Sequence, residues 1–177
     1  MSSDKIDKKH FLELLNNIEN NHSMIKQISS YMYYHREQSF QIITDLWKKH
    51  FLSCSESYKL LSLFYIINEI IILSSKKQKY DYITSFGEIL KEIIIHFCLK
   101  LNERKENFEN PTTVENDENM DGKENLKEDK LIEENKANLM KVYEILEIWE
   151  FLLIFSSNFI KELKMIILEN VSKDFFN

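Results

Sequence analysis

Turn-forming residues are almost absent from this sequence. Its 177 residues include two glycines and one proline, whereas a sheet protein of this size needs many tight turns, which consume glycine and proline. The chain is instead rich in leucine, isoleucine, glutamate and lysine, and most of these favour helices. We therefore predict an all-α fold with short polar links. With 44% hydrophobic residues, residues 1–177 can form a single domain around one core.

Hydrophobic residues recur at helical spacing along most of the chain. The segment at about 57–74 is apolar almost all round, so we expect its helix at the centre of the fold. Its longest apolar stretch, residues 60–73, is interrupted by polar side chains and predicts no membrane span. The same periodicity predicts helices over about 4–20, 23–36, 39–50, 57–74, 138–151 and 157–171, and a short helix followed by a longer one over 80–100.

Charge is concentrated in residues 102–135. This segment contains twelve acidic and five basic residues, a net charge of −7, so the rest of the chain is nearly neutral at +1. Such a composition cannot bury enough apolar surface to offset the entropy of ordering. We predict a disordered acidic insertion within the domain, before its last two helices. The near-neutral remainder lacks the basic face that nucleic acid requires, so nucleic-acid binding is not expected.

Within this segment, residues 117–128 match the EF-hand calcium-loop template, with the required glycine at position six and glutamate at position twelve. An EF-hand loop is held between two amphipathic helices, whereas both flanks here are mostly polar. Glu124 also occupies a position that is normally apolar. We interpret the match as a solvated acidic loop and predict no metal site.

Motifs for catalysis are also missing from the sequence. There is no phosphate-binding loop, no glycine-rich dinucleotide turn and no HExxH zinc motif. The two cysteines, Cys54 and Cys98, lie in apolar surroundings without paired spacing, so we expect free thiols. The sequence therefore predicts a protein that is not an enzyme and carries no cofactor.

One polar stripe interrupts the otherwise apolar segment at 57–74. Tyr65, Asn68, Glu69 and Ile72 follow the spacing i, i+3, i+4, i+7, which places them on one face of a helix. This stripe is either an ordinary solvent-facing edge or one wall of a groove that binds an extended peptide. Periodicity alone leaves both interpretations open.

Three segments, in order, resemble the CTD-interacting domain (CID) family. Residues 25–36, followed by Trp47, are similar to the start of that domain. Residues 59–70 resemble its central helix, in which the pattern Tyr-x-x-Asn-Asp appears here as Tyr-x-x-Asn-Glu. Residues 145–150, followed by 159–163, resemble its last two helices. The order and spacing agree from about residue 7 to 168, apart from the acidic insertion.

The resemblance implies a right-handed superhelix of about eight helices, similar to VHS and ENTH domains. It implies a nuclear protein-interaction module that binds the heptad-repeat tail of RNA polymerase II, Tyr-Ser-Pro-Thr-Ser-Pro-Ser, usually when phosphorylated, in transcription termination, RNA 3′-end processing or phosphatase recruitment. Neither a small-molecule substrate nor a membrane is implied. The residues that it assigns to the peptide are Tyr65, Asn68, Glu69, Ile72, Leu73, Ser23 and Lys26.

Glu144 is the main departure from the family pattern. Members that read phosphoserine carry arginine at this position, five residues before the tryptophan that corresponds to Trp149. A carboxylate there repels phosphate. Lys141, one turn earlier, can substitute only as a point charge without a bidentate fork, and Lys76 and Lys77 are the other phosphate-binding candidates. We expect weak tail binding, with altered or absent preference for phosphate on the second heptad residue.

Two other functions are compatible with such a fold. One is a trafficking adaptor, because VHS and ENTH modules share the superhelix and fold alone does not define function. The basic cluster that lipid-binding modules use is not expected, since the N-terminal lysines 5, 8 and 9 are balanced by acidic residues 4, 7 and 13. The other is a helical scaffold that has lost its peptide, which the changes at Glu69, Leu73 and Glu144 keep open.

Overall fold

The computed structural model describes residues 5–109 and 121–172, and the chain is all-α over these ranges, as predicted. Helix bounds agree with the hydrophobic periodicity to within a few residues, except between 80 and 135. The helices are α1 (Lys8–Asn16), α2 (His22–Tyr34), α3 (Arg36–Ser53), α4 (Ser57–Lys76), α5 (Asp81–Glu109), α6 (Asp121–Phe151) and α7 (Ser157–Ser172).

Side-chain caps define where the first two helices begin. The Asp7 carboxylate accepts a hydrogen bond from the backbone N–H of His10 at 3.1 Å, which satisfies an amide at the start of α1. Asn21 caps α2 in the same way, accepting from the N–H of Ser23 at 2.9 Å. Ser23 itself lies in the first turn of the helix.

Helices α4 and α6 each end in a closing turn of the same type. After α4, Lys79 N–H donates to the Ser74 carbonyl at 2.9 Å; after α6, Ile154 N–H donates to the Trp149 carbonyl at 3.0 Å. In each turn the preceding residue adopts a left-handed conformation, with φ of 53° at Gln78 and 55° at Leu153. This is the Schellman arrangement, which glycine usually completes. Both turns therefore form without the residue that fits them best.

Helix α4 is the central helix, as its all-round apolar sequence predicted. It packs against α2, α5 and α6, and Leu63, Phe64, Ile67 and Ile71 are fully buried. Contrary to the expectation from residues 60–73 alone, the whole helix is long and apolar enough to cross a membrane by length and composition. Since 61% of its most apolar window is buried inside the fold, packing explains this apolar character.

Contacts between helices follow a regular progression. Each helix packs against the next but one, in the pairs α1 with α3, α2 with α4, α3 with α5, α4 with α6, and α5 with α7. This succession builds the α-superhelix. Two buried aromatic clusters contribute to its core, one of Trp47, Phe51 and Phe86 and one of Phe64 and Trp149.

The structure differs from the sequence prediction over residues 80–109 and 121–135, whereas residues 110–120 of the predicted acidic insertion lie outside the described residues. A single helix, α5, replaces the short and long pair, and helical backbone continues into the acidic segment over 102–109 and again over 121–135. Glutamate and lysine extend a helix that is already nucleated by packing, an effect that a burial argument ignores. Where α5 and α6 pack together, Asn135 Nδ2 donates to the Leu101 carbonyl at 2.9 Å.

The EF-hand match falls partly outside the described residues, which exclude 110–120. Its second part, residues 121–128, is helical, including Gly122. An EF-hand loop instead needs a sharp turn at this glycine to direct its ligands towards the ion. The helical backbone is therefore incompatible with the loop geometry of a calcium site at these positions.

Candidate peptide-binding groove

A surface cavity of about 300 Å³ lies between the start of α2 and the middle of α4. It is small, partly polar and open to solvent on one side. Its position agrees with the polar stripe on α4, because three stripe residues contribute to its wall. The lining residues are Asn20, His22, Ile25, Tyr65, Asn68 and Glu69.

The stripe residues of α4 are neither buried in the core nor fully exposed. Tyr65, Asn68, Glu69 and Ile72 are all half-buried, and the ring of Tyr65 packs against the edge of the core. Their helical spacing places them on one face of α4, and this face borders the cavity described above. The stripe is therefore a recessed surface that a ligand can reach.

Asn68 joins the groove to helix α6. The indole N–H of Trp149, which is fully buried, donates to Asn68 Oδ1 at 2.9 Å. A buried tryptophan N–H needs such a partner. The bond uses the oxygen of the Asn68 amide and leaves its NH₂ group to donate towards a ligand. Asn68 thus also has a structural role within the domain, which the helical periodicity of the stripe did not indicate.

Helix α6 also brings a negative charge to the groove. Burial raises the pKa of the Tyr65 hydroxyl above its ordinary value, and the nearby Glu144 carboxylate raises it further. The phenol is consequently neutral at physiological pH and can both donate and accept hydrogen bonds. Because the Glu144 charge acts on Tyr65, which lines the cavity, the same carboxylate would repel a ligand phosphate that approaches this hydroxyl.

The remaining residues that the resemblance assigned to the peptide lie around this cavity and do not line it. Ser23 and Lys26 are exposed on α2. Ile72 continues the stripe one turn beyond Glu69, and Leu73 is half-buried with its side chain against the core. The structure thus brings together Tyr65, Asn68 and Glu69, and leaves the others at the margin.

The three candidate phosphate-binding lysines are all exposed and none lines the cavity. Lys141 lies on α6, one turn before Glu144. Lys76 and Lys77 lie at the carboxyl end of α4, roughly 10 Å along the helix axis from Glu69 at 1.5 Å per residue. A phosphate bound by these two lysines would therefore belong to a different part of a ligand from the part held at Tyr65.

Sequence reasoning missed Asn20 and His22 as site residues, and it identified Ile25 only within the resemblance. The signal for Ile25 was present, because it begins the apolar face of α2 and so points towards α4. Asn20 and His22 flank the capping residue Asn21. Helix-start patterns locate such residues along the chain but do not indicate which element they face.

Nucleophiles and metal ligands form no second site in the described part of the chain. No group of three or more His, Cys, Asp or Glu side chains is arranged to hold a metal ion there. Neither cysteine forms a disulfide, and burial raises the pKa of the Cys98 thiol to about 12, which keeps it protonated and unreactive.

Comparison with known proteins identifies one family. The family model of the CID domain matches residues 9–112, more than half of the chain. This match includes α2, α4 and the preceding Asn20, and thus every residue that lines the cavity. Helices α6 and α7, with Glu144 and Trp149, follow the matched segment. No curated protein sequence shows significant similarity to the chain.

Proposed function

Because this chain belongs to the CID domain family, whose members bind the C-terminal tail of RNA polymerase II in transcription and RNA processing, we propose that the groove beside Tyr65 holds one heptad of that tail and reads it with little or no preference for phosphate on its second residue. CID domains are protein-interaction domains and not catalytic ones.

The single observation that carries the proposal is the juxtaposition of Tyr65, Asn68 and Glu69 in one cavity. A peptide tyrosine has an apolar ring and a polar hydroxyl, and this cavity offers matching groups. Ile25 supplies apolar surface, the Glu69 carboxylate can accept a hydrogen bond from the hydroxyl, and the Asn68 amide can donate to a peptide carbonyl. Compared with the aspartate of the family pattern, Glu69 keeps the acceptor and adds one methylene.

The weak phosphate preference follows from charge. Glu144 raises the pKa of Tyr65, so a phosphate that approaches the same hydroxyl meets a carboxylate where family members that read phosphoserine have arginine. Lys141, one turn away, offers a hydrated point charge without a bidentate fork. Repulsion and attraction at this edge of the groove largely offset each other, which favours recognition of the tail through its tyrosine.

The proposed role is to couple transcription in the nucleus to RNA 3′-end processing, termination or recruitment of a tail phosphatase. CID proteins are generally nuclear transcription-related factors, which supports this role over a trafficking adaptor with the same superhelix. Flotation with anionic liposomes separates the two. We expect the protein to remain with the unbound fraction, whereas a membrane adaptor would float.

Calorimetric titration with one-heptad peptides tests the proposal. Two peptides are compared, one unmodified and one phosphorylated on the second residue, against the native protein, Glu144→Arg and the control Glu134→Arg. Glu134 is exposed on the same helix, about 15 Å further towards its amino end at 1.5 Å per residue, so the control makes the same charge change away from the groove.

We expect the phosphate to change the affinity of the native protein and of the control less than tenfold, about 1.4 kcal/mol. Glu144→Arg should gain tenfold or more for the phosphopeptide alone, because arginine restores a bidentate phosphate partner. A tenfold gain in the native protein would contradict the role of Glu144. Failure of every peptide with every variant would contradict tail binding itself.

A further inference from the structure

A cluster of large apolar side chains is exposed at the end of α6 and in the turn that follows. Phe151 and Leu153 are 85% and 84% exposed, and Ile148 and Leu152 are each nearly half exposed. Ile148, Phe151 and Leu152 follow i, i+3, i+4 spacing, so they share a helix face. We call these four residues the apolar patch. Clustered exposure of this kind usually marks a binding surface, unlike single exposed apolar residues.

The backbone conformation of the turn after α6 also indicates that the apolar patch is a binding surface. Leu153 occupies the left-handed position of a Schellman turn, where glycine or asparagine is favoured and a bulky residue costs roughly 1 kcal/mol. Its side chain is almost fully exposed, so burial within the domain does not offset that cost. A strained, exposed leucine is explained when its side chain contacts something outside the domain.

The apolar patch continues the wall of the groove. Helix α6 packs against α4, the Trp149 indole is hydrogen bonded to Asn68, and the charge of Glu144 acts on the Tyr65 hydroxyl. Residue numbers increase together along these two pairings, so the helices run in the same direction. Seven residues separate Tyr65 from Ile72 on α4, and seven separate Glu144 from Phe151 on α6. Phe151 therefore lies at about the level of Ile72, roughly 10 Å beyond the cavity.

We propose that the apolar patch binds the tyrosine of a second, adjacent heptad of the same polymerase tail, so that the domain reads two consecutive tyrosines. This inference rests on the proposed function. Consecutive tyrosines are seven residues apart and span at most about 25 Å when extended, less when the tail bends, so a tyrosine held at Tyr65 brings the next within reach of Phe151.

The chemistry of the patch fits a tyrosine better than a charged residue. A phenol ring can cover Ile148 and Phe151 while its hydroxyl stays in water, as amphipathic aromatic residues do at interfaces. The neighbouring Glu144 and Glu147 carboxylates are exposed on α6 and disfavour a phosphorylated tyrosine. Tethering through the first heptad makes the second contact intramolecular, so even a weak contact adds measurably to affinity.

Two-heptad peptides test this inference. One carries both tyrosines, and two matched peptides have either the first or the second tyrosine replaced by alanine. We expect the native protein to bind the two-tyrosine peptide at least tenfold more tightly than either single-tyrosine peptide. In Leu153→Gly and in Phe151→Ser the ratio should fall to about two, the statistical value for two equivalent registers, while the affinity for single-tyrosine peptides stays unchanged.

The control variant is Gln78→Gly. It places glycine at the equivalent left-handed position after α4 and relieves the same backbone strain without touching the apolar patch, so it should keep the tenfold ratio. Because Leu153→Gly also relieves strain, loss of the ratio in this variant cannot be attributed to unfolding.

A ratio near two in the native protein, or an undiminished ratio in Leu153→Gly and Phe151→Ser, would overturn the inference while leaving single-heptad binding intact. Absence of binding to all three peptides would reject the proposed function and this inference together. Sedimentation of the free protein provides a further test: a concentration-dependent dimer that Phe151→Ser abolishes would assign the patch to a second copy of the chain and overturn the inference.

Discussion

At the scale of single residues, Asn68 has both an internal and an external role. Its amide oxygen accepts the Trp149 indole hydrogen bond at 2.9 Å, and the residue also lines the cavity. Asn68 thus links the groove to a buried tryptophan 81 positions away. A substitution of Asn68 that is designed to weaken binding therefore also removes the hydrogen-bond partner of Trp149.

Replacing Asn68 with alanine should therefore destabilise the protein as well as weaken tail binding. We expect a loss of about 1–3 kcal/mol in the free energy of unfolding, because a buried indole N–H is left without its partner. Urea unfolding followed by circular dichroism measures this. In a Trp149→Phe background, which removes the donor, the same substitution should cost less. An equal cost in both backgrounds would show that the hydrogen bond is not the cause.

Sequence reasoning located some of these residues and missed others for a physical reason. Tyr65, Asn68 and Glu69 follow from local periodicity, since a helix places residues three and four apart on one face. The bond from Trp149 and the proximity of Glu144 depend on how α6 packs on α4. Such packing is a tertiary property that spacing along one helix does not contain.

At the scale of helices, the two closing turns contain strain that glycine would relieve. Gln78 and Leu153 both adopt left-handed backbone conformations that side chains with a β-carbon disfavour. Glycine at either position should raise the free energy of unfolding by about 1 kcal/mol, less the entropy that glycine adds to the unfolded chain. Chemical denaturation of Gln78→Gly and Leu153→Gly measures this change in the free energy of unfolding. Destabilisation by both substitutions would contradict the claim that these two positions are strained.

Helices α6 and α7 are joined by a charge cluster around Lys164. This lysine lies 2.8 Å from Glu150 and 3.7 Å from Glu147, with its ammonium over the Tyr143 ring. The hydrogen bond from Lys164 is the main cause that lowers the pKa of Glu150 below its ordinary value of 4.5. The cluster therefore connects the turn that carries the apolar patch to α7.

The cluster predicts a pH dependence with a defined sign. Because the folded-state pKa of Glu150 is depressed, its stabilising contribution is complete above about pH 4.5 and is lost as pH falls through the lowered value. Lys164→Met should reduce the melting temperature near neutral pH, and the difference from the native protein should shrink towards pH 3. A difference that is constant with pH would exclude the Glu150 pair as its source.

At the scale of the whole molecule, the scarcity of glycine and the all-round apolar sequence of α4 predicted the all-α fold and its central helix. The predicted helix ends were less accurate where an acidic composition suggested disorder but the backbone is helical. The acidic residues at 102–109 and 121–135 are poor at burying surface but good at extending helices, so α5 and α6 continue past the expected limits. The burial argument alone could not predict this.

The two cysteines report on the integrity of the fold. Cys98 is buried with a pKa of about 12, whereas Cys54 is partly accessible. A thiol reagent should label Cys54 rapidly and Cys98 only through unfolding, because the thiolate is the reactive form. Mass spectrometry of timed samples should show one fast and one slow addition. Two fast additions would indicate that the core around α5 opens locally.

The most direct test of the central claim uses the two tryptophan indoles as reporters. Trp149 is bonded to Asn68 at the groove, and Trp47 lies in the other aromatic cluster. Nitrogen-15 spectra recorded during titration with an unphosphorylated two-heptad tail peptide should show the Trp149 indole signal, with the amides of Tyr65 and Glu69, shifting progressively while Trp47 stays in place. An unchanged Trp149 signal at saturating peptide would contradict tail binding in this groove.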